Sequence, residues 1–130
     1  MQPIQLFELA SRQAEWLSVR QEVVATNIAN ANTPKFHAKD VSPFEAVMQA
    51  TSQQVGMART NPAHLGESTL SENIAVRDNP VNNEIGMQES GNSVGLAEEM
   101  TKTGEIKRQY DLNASLVKSF HRMMLMTVKR

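Results

Sequence analysis

The 130-residue chain contains no cysteine. That excludes a disulfide framework and any thiolate metal site. Aromatic residues make up only 5 %, with one Trp and one Tyr, so no large rigid aromatic core is available. Eight methionines supply adaptable apolar surface instead. No stretch approaches the ~20 consecutive apolar residues that span a bilayer. The N-terminus has no basic region followed by an apolar run, so no cleavable signal peptide is expected. Net charge is only −1, which argues against nucleic acid as a partner. His37, His64 and His121 fall in separate segments, without the i, i+4 pairing of a helical metal site. No P-loop, nucleophile elbow, glycine-rich dinucleotide turn or His-Glu-x-x-His string occurs. Neither a cofactor nor a small-molecule substrate is expected, and the chain reads as a structural protein, not an enzyme.

What is present is helical periodicity at both ends of a single-domain length. Over residues 3–31, heptad positions a (Phe7, Ala14, Gln21, Ile28) and d (Ala10, Leu17, Val24, Ala31) are apolar at seven of eight sites. That is the 3.5-residue seam of a helix seeking a partner helix. Leu6, Leu9, Trp16 and Val23 widen the apolar surface, and Trp16 suits either the core or a contact with another chain. Over residues 96–128 the same register reads Leu96, Thr103, Tyr110, Val117, Met124 at a. Position d reads Glu99, Ile106, Asn113, Phe120, Thr127. Glu98 and Glu99 look like charges placed at a helix N-terminus. Asn113 and Gln21 either fix register as polar seam residues or point to solvent.

Between the helices, Ser42-Pro43-Phe44-Glu45 suggests a short helix over 42–50, with Ser42 as N-cap and Glu45 completing a capping box. Residues 51–95 keep no period and carry scattered apolar residues such as Val55, Leu65 and Leu70, with brief extended pieces expected around Ile74–Arg77. The expected fold is all-α. Residues 1–34 and 96–130 form an antiparallel coiled-coil core, and 35–95 add a short helix and an irregular segment. Charge is unevenly spread. Residues 41–95 hold two Lys/Arg against six Asp/Glu, and 96–130 hold seven against four. The basic helix and the acidic middle can attract one another within a subunit or between neighbours.

The first helix runs into Asn27-Ile28-Ala29-Asn30-Ala31-Asn32-Thr33-Pro34, with an aromatic at Phe36. Pro34 disfavours helix at Thr33, and Asn30 or Asn32 can close the helix in a left-handed conformation. This text resembles the N-terminal signature of the flagellar axial proteins, the rod, hook and hook-associated subunits. The likeness returns at Ser90–Met100, SGNSVGLAEEM. Within that group the chain looks most like the proximal rod subunits. Lys35 stands where the pattern has glycine, which argues against positive φ there. Gly95 stands where an acidic residue is common.

The resemblance implies a structural subunit of the basal-body rod, lying in the periplasm and exported without a cleaved signal by the flagellar type III apparatus. Implied partners are copies of itself, other rod proteins, the rod–ring adaptor FliE, the membrane-supramembrane (MS) ring, and the export gate during secretion. Phe44 and Met48 fit the short apolar pattern that early export substrates present to that gate. Phe7, Ala10, Ala14, Leu17, Val24, Ile28, Ile106, Tyr110, Val117, Phe120 and Met124 are the expected seam. Leu9, Trp16, Met123 and Met126 are candidate contacts between subunits. The alternative is a soluble helical adaptor or export chaperone that binds one partner through the same seams.

Overall fold

The computed structural model describes residues 3–53, 60, 61, 63, 73–79 and 88–129. Val55, Leu65, Leu70 and most of the unpatterned middle therefore lie outside the described residues, as does His64. Among the described residues the elements in chain order are α1 (Pro3–Ala29), β1 (Lys39–Val41), α2 (Phe44–Gln53), β2 (Val76–Asp78) and α3 (Leu96–Val128).

α1 opens on a proline, whose fixed φ and missing donor suit a first helical position. α3 runs 33 residues, roughly 50 Å at 1.5 Å per residue. The two long helices pack antiparallel. Asn27 meets Glu99 near one end, the Ala10 carbonyl meets Asn113 further along, and Phe7 meets Phe120 beyond that. The Phe7 and Phe120 rings sit edge to face, with centroids 6.3 Å apart, the arrangement that ring quadrupoles favour. Among the described residues no helix is long and apolar enough to cross a membrane.

The all-α expectation holds for the bulk of the fold, with one addition. β1 and β2 pair antiparallel, Lys39 opposite Asp78 and Val41 opposite Val76. The ladder continues past the strands, with Ser42 N–H donating to Ala75 at 2.9 Å and Asn79 N–H to Ala38 at 2.8 Å. Three residues per strand are too few to carry an alternating pattern.

The core gathers Trp16, Leu17 and Val24 from α1, Val47 from α2, Ile74 ahead of β2 and Ile106 from α3. It thus draws on the middle segment as well as the long helices. Trp16 is only 7 % exposed. Its indole N–H donates to the Ser42 carbonyl at 2.9 Å, its ring packs on Phe44, and Arg20 lies over its face. Of its two expected roles, the structure gives Trp16 the core, because the β1–α2 corner covers it. The capping box at Ser42 does not form. α2 starts at Phe44, and the Ser42 hydroxyl is buried without a hydrogen-bond partner. The backbone explains this: Ser42 is held in the strand ladder through its N–H, and its carbonyl receives Trp16.

Candidate functional site: the polar clasp and the helix seam

The Asn-rich end of α1 becomes a hydrogen-bond hub. Asn27 is 1 % exposed. Its amide nitrogen donates to the Lys39 carbonyl at 2.6 Å and to Glu99 Oε2 at 3.1 Å, while its oxygen accepts the Lys39 N–H at 3.0 Å. One side chain thereby ties α1 to the start of β1 and to the first turn of α3. A buried amide is tolerable only when its donors and acceptor find partners, and here they do.

Glu99 is equally buried, at 1 % exposure, and so is not the solvated N-terminal charge that its position suggests. Lys102 Nζ stands 3.1 Å from Glu99, 3.5 Å from Glu98 and 3.6 Å from Asp40, and Arg20 completes the set 3.4 Å from Asp40. A buried carboxylate needs such partners. Burial pushes the Lys102 ammonium down, but its hydrogen bond to Glu99 and the charges of Glu99, Asp40 and Glu98 outweigh that. The net effect holds Lys102 above the ordinary lysine value of 10.5.

A second clasp lies beside the first. Asn92, with 0 % exposure, donates to the Asn30 carbonyl at 2.9 Å and the Thr33 carbonyl at 2.7 Å. Its oxygen accepts the Val94 N–H at 2.7 Å. These two carbonyls already accept the Thr33 and Phe36 N–H groups within the exit turn, and Asn92 gives each a second donor from 62 and 59 residues away. Ser93 adds a strand-like tie, with its N–H donating to Phe36 and its hydroxyl accepting from Ala38.

The turn itself corrects one expectation. Among the described residues, positive φ occurs at Lys35 (60°) and Gly91 (76°), not at Asn30 or Asn32. Asn30 closes the helix through its side chain, which donates to Thr26 and accepts from Thr33. Lys35 takes the left-handed conformation without glycine. Its N–H donates to the Ser90 carbonyl at 3.0 Å, and a Cβ added at Gly91 would lie 3.6 Å from Lys35. The two left-handed residues thus sit face to face. Within the signature, Asn27 is buried and Ile28 and Phe36 are half-buried. Ala29, Asn32, Thr33 and Pro34 are exposed.

The seam residues divide by position along the hairpin. Near the clasp, Leu17, Val24 and Ile106 are buried, and Ile28 packs against that cluster. Phe7, Ala10, Ala14, Val117 and Phe120 are half-buried, while Tyr110 and Met124 are exposed. Asn113 is a seam residue and does not point to solvent: it is buried and donates to the Ala10 carbonyl at 2.8 Å. Ala10 and Ala14 face Tyr110 and Val117 across an open groove of about 450 Å³, because alanine side chains cannot fill the gap between the helices. Phe44 and Met48 are half-buried against the core. Leu9, Met123 and Met126 lie exposed on the helices. The sequence reading missed Asn92, Asp40, Lys102 and Arg20, and misjudged Glu99. The motif around Ser90–Met100 was visible, but not that its Asn and Glu bind back to the first helix.

Residues 16–36, the stretch ending in the clasp and its turn, match the family described as flagella basal body rod protein. The flagellar basal body rod protein FlgB of Aeromonas hydrophila is 30 % identical over 103 residues, covering 78 % of this chain and 76 % of the relative. The chain belongs to the FlgB family of flagellar basal body rod proteins. FlgB of Bacillus subtilis is 29 % identical over 107 residues, 82 % of this chain and 78 % of that one. FlgB of Escherichia coli is 33 % identical over 103 residues, 74 % of this chain and 72 % of that one. As a member, the chain is a structural protein of the flagellar basal body rod, a part of the motility machinery and not an enzyme.

Proposed function

We propose that the chain is a proximal-rod subunit that assembles with copies of itself and other rod proteins into the torque-transmitting shaft. The observation that carries this is the exposed apolar surface left over once the core is complete. Leu112, Leu116, Met123, Leu125 and Met126 are each at least half exposed on α3. Surface of that kind, on a helix already packed along another side, marks contacts with further chains. Residues 1–34 and 96–130 form the helical assembly unit, and within 35–95 the described corner of β1 and α2 packs against it. Export through the flagellar type III apparatus places the subunit in the periplasm, next to the rod–ring adaptor FliE and the MS ring. Phe44 and Met48 are the residues the export gate would read. Both are half-buried against the core, so the gate would meet them before the subunit folds.

The test is complementation of a strain lacking the subunit. Leu9→Asp with Met126→Asp changes exposed residues, so the variant folds and is secreted but leaves cells non-motile. Full motility would remove the assembly reading. Phe44→Ala lowers secretion while the cytoplasmic level stays intact, and unchanged secretion would remove the gate reading.

A further inference from the structure

The groove between the two long helices has the size of a small-molecule site. It measures about 450 Å³, and ligand pockets, often found between packed helices, run from roughly 300 to 1,000 Å³. Ala10, Ala14 and Ala114 leave it open, while Phe7, Tyr110 and Val117 supply aromatic and branched walls. An apolar crevice alone would say only that two helices meet imperfectly. Asn113 adds a second observation. It lines the groove and is 8 % exposed. Its amide donates to the Ala10 carbonyl at 2.8 Å, but among the described residues its oxygen accepts no hydrogen bond. An acceptor so deeply placed is stabilised by a donor from whatever enters the groove.

Charge narrows the chemistry further. The lining includes Lys118 and His121 and no carboxylate. Glu8, Glu15 and Asp111 adjoin lining residues in sequence without lining the groove themselves. Among the described residues Lys118 has no ion pair, so its ammonium is uncommitted and suits an anionic group.

We propose that this groove binds a flat aromatic carboxylate that also carries an N–H donor, a molecule of the size of an indole acid. The ring lies against the alanines and Tyr110, the N–H points to the Asn113 oxygen, and the carboxylate turns to Lys118 and His121. Such a ligand touches α1 and α3 together, so its binding adds to the stability of the helix pair by mass action. The site needs only the folded pair of helices and does not depend on assembly into a rod.

The test uses the full chain with indolepropionate as the probe. Ligand-detected NMR titration gives the affinity, and thermal unfolding by circular dichroism gives the stabilisation. A ligand of this size should bind with a Kd of about 1 mM or tighter and raise the melting temperature. Its benzothiophene analogue, in which sulfur replaces the N–H, should bind about fivefold more weakly, the worth of one neutral hydrogen bond. Tryptamine, with an ammonium in place of the carboxylate, should bind more weakly than indolepropionate. Lys118→Glu should narrow or reverse that order, since one exposed charge contact is modest. Ala114→Leu, at an exposed position where leucine suits a helix, should fill the groove and abolish binding while helicity is kept. Equal binding of the three probes, binding that survives Ala114→Leu, or a Kd weaker than about 10 mM overturns the proposal. So does binding that fades as the chain self-associates, which would make a second copy the occupant. Motility enters none of these readouts, so failure here leaves the rod assignment standing, and the reverse holds too.

Discussion

Replacing Asn27 removes three hydrogen bonds at once. Two join the Lys39 backbone and one joins the buried Glu99 carboxylate. A neutral bond contributes about 1 kcal/mol net and a bond to a charged group about 1.5–3 kcal/mol. Lys39 is an exposed residue, so water can reach part of its backbone and recover some of the loss. Glu99 cannot be reached in that way. Asn27→Ala should therefore destabilise the subunit by about 3–4 kcal/mol, a large share of the 5–15 kcal/mol typical of a domain. Asn27→Asp keeps the shape but sets a second carboxylate about where the amide stood, 3.1 Å from Glu99, and also removes the donor to Lys39. It should be the worse of the two at pH 7 and should recover relative to alanine as the pH falls and one carboxyl takes up a proton. Urea titration followed by helical circular dichroism, with Trp16 emission as a second probe, measures both. A loss below 1 kcal/mol for Asn27→Ala, or an Asp variant as stable as wild type at pH 7, would refute the clasp as a source of stability.

Lys35→Gly should stabilise the chain by about 0.5–1 kcal/mol. Relief of the left-handed strain, about 1–2 kcal/mol, exceeds the entropy that glycine adds to the unfolded chain; a melting temperature a few degrees higher would show it. Lys102 has a raised folded-state pKa, so its contribution is complete below the ordinary value of 10.5 and fades as pH climbs through the folded value. Denaturation curves should show stability falling above pH 10.5, and Lys102→Met should flatten that part of the curve. Leu17→Ala, at a site 1 % exposed in the middle of the core, should lose about 2–5 kcal/mol in the same titration.

The parts of the fold that the sequence made legible are local. α1 and α3 announce themselves by a heptad that repeats four times or more, and Pro3 and Pro34 punctuate the first. The parts that were not legible are pairings across distance. Asn27 and Glu99 stand 72 residues apart, and each alone has the look of a surface residue. Their burial follows only from their meeting. β1 and β2 are too short to show a period, so their pairing, and with it the failure of Ser42 to cap α2, could not be read in advance. Lys35 misleads for a different reason. Glycine is the easiest residue for a left-handed turn, but lysine can occupy it when, as here, its N–H is bonded to Ser90 and the exit of α1 is tied down by Asn92. The signature residues were identified from their text, while the partners that give Asn27 its role came from the second motif at Ser90–Met100.

The separation of Asn27 from Glu99 has a further consequence for how the chain matures during synthesis. Closing a loop of 72 residues carries an entropic penalty that grows with the logarithm of its length, roughly 4 kcal/mol before any constant is added. Nothing translated before Asn92 can hold the Asn30 and Thr33 carbonyls in their observed way, and nothing before Glu99 and Lys102 can complete the charge set around Asp40. For as long as the ribosome has not passed those codons, α1 can lean on the β1–α2 corner through Trp16, but the seam side that meets α3 stays uncovered and Asn27 lacks Glu99. The full set of contacts that holds α1 is therefore complete only once Glu99, Asn113 and Phe120 have been made.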